Sequence, residues 1–134
     1  MTKGQILVLG GSGFLGSHVA DALSDSGYSV RVTDLVRSPY LRTDQEMIVG
    51  DLLNESLLDE AVSGCTAVYN YAAIADLDEA SDKPLHTARV NVLGNVQALE
   101  ACRRHHVRRY IYASTVYVNS REGSFYRCSK QAAE

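Results

Sequence analysis

Apolar residues in this chain follow two rhythms in turn. Ile6 to Leu9 is an unbroken apolar run of strand length, and after a group of glycines Leu15, Val19 and Leu23 recur at helical spacing until Gly27 offers a helix end. Ser29 to Thr33 then alternates towards Asp34, and Met47 to Val49 reads as a third short strand. Asn54 is placed to cap a helix carrying Leu57, Leu58, Ala61 and Val62 up to Gly64. Ala67 to Asn70 predicts strand four, Leu85, Ala88, Val92, Val96 and Leu99 an apolar stripe along one long helix, and Arg109 to Ala113 strand five. Strands alternating with helices imply right-handed crossovers and parallel pairing. The expected fold class is therefore α/β, a doubly wound parallel sheet with ligands at the strand C-terminal ends.

Bulk properties narrow the function more than the fold. With 134 residues, 46% of them hydrophobic, one domain is expected. The net charge of -3 and pI near 5.8 supply no field for nucleic acid or an anionic membrane, so neither is expected as a partner. No apolar stretch reaches the ~20 residues of a membrane span, and glycines interrupt the one run that faintly imitates a signal peptide. Cys65, Cys102 and Cys128 have no metal-ligand spacing and fit free thiols in a reducing compartment, which reads as cytoplasmic. The cations of Arg103 to Arg109 suit a helix C-terminus, and His105 and His106, being adjacent, point in different directions on a helix; no metal site is expected.

The stretch LGGSGFLGSH holds two overlapping glycine spacings, Gly11-Gly13-Gly16 and Gly10-Gly13-Gly16. Between a strand and a helix, either lets a pyrophosphate approach backbone N–H groups and the helix N-terminus; the plain alternative is a tight turn with close helix packing. No Gly-Lys-Ser/Thr follows, which excludes a P-loop. Asp34 ends the second strand close to the ~20 residues past the glycines at which an acid bonds the adenosine ribose. A carboxylate there favours NAD over NADP, although Arg37 could compensate for a 2′-phosphate. An ordinary strand-end or capping role for Asp34 stays open. Asp51 and Leu52 could pair with and pack on adenine, a weak signal taken alone.

Tyr126 and Lys130 are four apart and share one helix face. A neighbouring ammonium favours the phenolate of a tyrosine, so such a pair can move a proton. The spacing arises easily by chance in a chain with eight tyrosines. Its position adds weight, because Ser114 and Thr115 stand close by at the end of strand five, where a hydroxyl could bond the reacting oxygen.

Taken together, GGSGFLG, Asp34, GDL at Gly50 to Leu52, YAA at Tyr71 to Ala73, NVLGN at Asn91 to Asn95, YASTVY at Tyr112 to Tyr117 and YRCSK at Tyr126 to Lys130 resemble an extended short-chain dehydrogenase/reductase of the NAD-dependent epimerase/dehydratase group. The resemblance implies a Rossmann-type fold, C-terminally incomplete here, with residues 1–134 as a partial NAD(P)-binding domain. It selects the Gly10, Gly13, Gly16 spacing. It places Phe14 and Leu15 near the pyrophosphate, Asp51 and Leu52 at adenine, and Ala72 and Ala73 along the ribose and nicotinamide path. Asn91 would anchor the helix supporting the active site, Lys130 would bond the nicotinamide ribose and activate Tyr126, and Tyr126 would be the acid/base residue.

Departures from the family pattern are Leu9 and Asn70, a short interval before Tyr126, and a segment after strand five that favours Thr115 slightly over Ser114 as the third hydroxyl. The sequence stops at Glu134, within the helix of Tyr126 and Lys130 and before the family's C-terminal substrate-binding region, so the 134-residue piece by itself is expected to be inactive and marginally stable. The expected activity is NAD-dependent chemistry on a nucleotide sugar through transient hydride transfer, with epimerase, dehydratase and reductase outcomes undivided and homodimerisation open. The alternatives are a simple carbonyl reductase and an NAD(P)-binding sensor that does not turn over; a proton-transfer set argues against the latter.

Overall fold

A computed structural model describes residues 3–134. Five strands, β1 (Gln5–Leu9), β2 (Ser29–Asp34), β3 (Gln45–Val49), β4 (Cys65–Asn70) and β5 (Arg109–Tyr112), form one sheet in the order β3-β2-β1-β4-β5. Every pairing is parallel. Helix α1 (Phe14–Asp25) joins β1 to β2, and α2 (Glu55–Val62) joins β3 to β4. Between β4 and β5 run two short helices, α3 (Leu77–Asp82) and α4 (Pro84–Thr87), a π-helical segment (Ala88–Leu93) and α5 (Gly94–Arg104). A 3-10 turn (Val116–Asn119) and α6 (Ser124–Ala133) follow β5.

The apolar run of β1 is continuous because both of its faces are covered. Leu7 and Leu9 enter a core with Leu58, Ala61 and Val62 of α2 and Ala98, Ala101 and Cys102 of α5. Val8 points the other way, to Ala20 of α1 and to Val30 and Val32 of β2. A side-chain period of two thus feeds two helical layers from one strand. Asn54 caps α2 as expected, its Oδ1 accepting from the Leu57 N–H at 3.2 Å.

The long helix is present as expected but departs from expectation in orientation. It runs unbroken from Pro84 to Arg104 through α4, the π segment and α5, but three members of the expected apolar stripe face outward: Leu85, Val96 and Leu99 are 65%, 49% and 41% exposed. The buried face carries Thr87, Asn91, Asn95, Ala98, Ala101 and Cys102. Small residues win the inward positions because α5 lies close to the rest of the chain: a Cβ on Gly94 would sit 2.7 Å from the Leu52 side chain. The basic end of α5 ties it to α2, Arg104 and His105 both meeting Asp59 at 2.9 and 3.1 Å. Among the described residues there is no cluster of potential metal ligands, and no helix is long and apolar enough to cross a membrane.

Candidate functional site

The turn after β1 and the ends of β2, β3 and β4 enclose a cleft at the C-terminal edge of the sheet. Gly10 and Gly13 are in its wall. Gly10 has φ +78, and a Cβ there would meet the Ala72 backbone nitrogen at 2.7 Å, so only glycine fits. Gly16 is a packing residue, since a Cβ on it would run into the Gly10 carbonyl oxygen. Of the two glycine spacings, Gly11 belongs to the one turned away from the cleft, against Val32. Phe14 and Leu15 are exposed at the first turn of α1, and neither they nor Gly16 line the cleft.

Asp34 has partners within the chain and a place in the cleft wall. Its Oδ2 accepts from the Ser12 N–H at 3.0 Å and its Oδ1 from the Leu35 N–H at 2.8 Å, so it ties down the glycine turn. It also lines the cleft, and each oxygen keeps a lone pair for a further donor. Asp51, Leu52, Ala72 and Ala73 line the same cleft as Asp34. Arg37 is exposed and outside the lining. Leu35, Tyr71, Ile74, His86 and Val90 also line the cleft and were missed. For Val90 and His86 the usable signal was their four-residue spacing, which places both on one helical face. An acidic rim, a glycine floor and apolar walls suit the two hydroxyls, the pyrophosphate and the ring of an adenine dinucleotide.

A second group of side chains gathers beyond β5. Lys130 is only 3% exposed, and its Nζ donates to the Ala113 carbonyl at 2.6 Å while lying 4.6 Å from the Tyr112 ring centroid and 5.9 Å from that of Tyr126. Burial brings its pKa down to about 8. Burial pushes the Tyr126 hydroxyl up, a hydrogen bond with the Thr115 side chain opposes this, and Tyr117, packed edge-on at 6.4 Å, adds to the rise. Ser114 is engaged elsewhere, its hydroxyl donating to the Glu134 carboxylate. The structure therefore sets Lys130 against the Tyr126 ring and keeps Thr115 near enough to ease the rise of its pKa, while Ser114 bonds a different partner. None of the four lines the cleft.

Asn91 joins these regions. Its Oδ1 accepts from the Ile74 N–H at 2.7 Å, and its Nδ2 donates to the Ile74 carbonyl and the Ser129 hydroxyl, both at 3.0 Å. Ser129 in turn donates to the Tyr126 carbonyl at 2.7 Å. One buried amide so holds the loop at the cleft wall and the helix of Tyr126 and Lys130 in a common frame.

Comparison with known proteins agrees with this arrangement. The chain is 33% identical over 135 residues to the UDP-glucose 4-epimerase of Bos taurus, covering 86% of this chain and 39% of the bovine one. It is also 33% identical over 111 residues to the sterol-4-alpha-carboxylate 3-dehydrogenase, decarboxylating, of Mus musculus, covering 83% of this chain and 30% of that one. The crystal structure of UDP-glucose 4-epimerase from Brucella ovis in complex with NAD superposes with a TM-score of 0.87 at 31% identity, over 96% of this chain and 45% of that one. The chain thus spans less than half the length of these relatives. The pattern of the NAD dependent epimerase/dehydratase family matches residues 6–133, and the chain belongs to that family.

Proposed function

We propose that this chain is the cofactor-binding part of an NAD-dependent enzyme that acts on a nucleotide-linked sugar, with the substrate held largely by polypeptide outside residues 1–134. The observation that carries the reading is the meeting of Thr115, Tyr126 and Lys130 just past β5, at the same edge of the sheet as the cleft. A binding module needs no such proton-transfer set.

In this reading bound NAD would supply a reversible hydride acceptor for a sugar carbon. Gly10 and Gly13 would leave room for its pyrophosphate, Asp34 would accept from ribose hydroxyls, and Asp51 with Leu52 would hold the adenine. Tyr126 Oη removes the proton from the sugar hydroxyl as the hydride leaves, and Thr115 Oγ1 orients that oxygen. Lys130, kept near its charge transition by burial, steadies the phenolate. Return of the hydride to the opposite face would be epimerisation.

A dehydrogenase acting once on a non-sugar alcohol is the second reading, favoured by the equal identity to the sterol dehydrogenase. The full natural chain, supplied with NAD and a panel of UDP- and dTDP-sugars beside 3-hydroxysteroids, separates the two. Sugar turnover without net NADH supports the first; NADH accumulating only with steroids overturns it. In either case Tyr126→Phe should lower turnover ~100- to 10,000-fold with NAD still bound. Parent-like turnover by that variant would remove Tyr126 from the mechanism.

A further inference from the structure

Asn95 lies one helical turn beyond Asn91 on the same face, and each is 2% exposed. It makes a second crossing from the sheet to α6. Its Oδ1 accepts from Asn70 Nδ2 at 3.0 Å and from the Tyr110 hydroxyl at 2.6 Å, and its Nδ2 donates to the Ala133 carbonyl at 3.0 Å. Asn70 Nδ2 also donates to the Tyr110 oxygen at 2.9 Å, and Asn70 Oδ1 accepts from the Ala72 N–H at 3.0 Å. The three side chains form a closed ring. Both amide hydrogens of Asn70, the hydroxyl hydrogen of Tyr110 and both acceptor sites of Asn95 Oδ1 are spent within it.

In a ring so fully used, no member can turn without orphaning another, at the cost of an unpaired buried polar group. An apolar trio would fill the space with less desolvation, so the polar choice points to placement of its ends. Those ends are distinctive. Ala72 N, at the cleft wall, abuts Gly10 of the glycine turn. Ala133 lies one turn past Ser129 on α6, with Lys130 between them, so Asn91 and Asn95 grip α6 at two successive turns. A tilt of the helix about Ser129 would draw Lys130 from Ala113 and Tyr126 from Thr115.

We propose that the Asn70–Asn95–Tyr110 ring is a positioning device that couples the cofactor-facing backbone at Ala72 to α6, so that filling the cleft sets Tyr126 and Lys130 for proton transfer. This rests on the reading of Tyr126 and Lys130 given above.

The test uses the full natural chain with two variants: Tyr110→Phe, which opens the ring, and Tyr110→Phe with Asn95→Leu, which also removes its link to α6. Thr115, Tyr117, Tyr112 and Lys130, the groups facing Tyr126, stay unchanged. Titration of Tyr126 followed by 13Cζ-tyrosine NMR, with and without NAD, should show a midpoint that moves on NAD binding in the parent. In Tyr110→Phe that movement should shrink, with kcat down about tenfold and KM within about threefold of the parent. The double variant, which leaves both Asn70 amide hydrogens and the Ala133 carbonyl unpaired, should lower Tm further and abolish the NAD-linked movement. Parent-like titration and kcat in variants that differ only in Tm would overturn the coupling. So would a Tyr126 midpoint in the unmodified protein that ignores NAD, a result that needs no variant. NAD affinity by calorimetry and the Tyr126→Phe control report separately on the earlier reading: if NAD fails to bind, or that variant turns over like the parent, it is the assigned chemistry that falls.

Discussion

At the end of β1, helix α1 reaches the sheet through absent side chains; at the end of β4, the π segment, α5 and α6 reach it through amides. Gly10 and Gly16 bring backbone against backbone with no room for a methyl group. Asn91 and Asn95 instead span a gap, bonding the loop after β4 at Ile74 and the β4 end at Asn70 on one side, and α6 on the other. Contact through glycine leaves N–H groups and a helix N-terminus open to a ligand. Contact through amides spends its donors and acceptors internally and delivers orientation. The first region is built to receive an anion, and the second to hold a helix still.

The sharpest way to break this contrast is at Gly16. A Cβ on Gly16→Ala must displace the Gly10 carbonyl, and the expected cost is about 1–3 kcal/mol. Chemical denaturation should register it, and calorimetry should find NAD binding lost; unchanged binding would mean that the turn is more pliant than its packing implies. At Asp34, Asp34→Ser removes a charged acceptor worth about 1.5–3 kcal/mol. NAD affinity should fall about tenfold or more, and the preference over NADP should narrow. Tighter binding of NADP by the parent would hand control of the pocket to Arg37.

Lys130 offers a pH test of the amide-held region. Its pKa falls from 10.5 to about 8 on folding, so between those values the unfolded chain binds more protons and this group's penalty is relieved as pH rises. Without cofactor, the stability of the parent relative to Lys130→Met should climb between pH 8 and 10. A flat difference would mean that the bond to Ala113 keeps the ammonium charged. The smallest effect is expected on the outward stripe: Leu99→Gln should change the stability of the monomer by no more than ~0.5 kcal/mol, whereas Ala98→Leu, one residue away, should cost about 1–3 kcal/mol.

That last pair marks where sequence reasoning met its limit. Hydrophobic period alone predicted that Leu85, Val96 and Leu99 turn inward, and the inward face is Asn91, Asn95, Ala98 and Ala101. A period identifies a helix without saying which neighbour it packs on. When that neighbour is another helix pressed close, and the seam must carry hydrogen bonds, small and amide side chains take the inside. Asn70 and Tyr110 were illegible for the same reason: each is ordinary in its own strand, and their meeting with Asn95 joins residues 15 to 40 positions apart.

What the sequence determined by itself was everything encoded within one strand–turn–helix unit. Short apolar runs between helical repeats specified parallel strands, glycines marked the turn where backbone must be bare, and Asp34 stood at the end of the second strand. These features depend on backbone sterics and local period, which act over a few residues. Only the tertiary structure decided that Ser114 turns to Glu134, that Lys130 is buried against Ala113, and that two amides tie α6 to the cleft wall. Those choices turn on distances of a few tenths of an ångström between segments remote in the chain, and they are settled when helices dock on the sheet, where a buried polar group must find its partner.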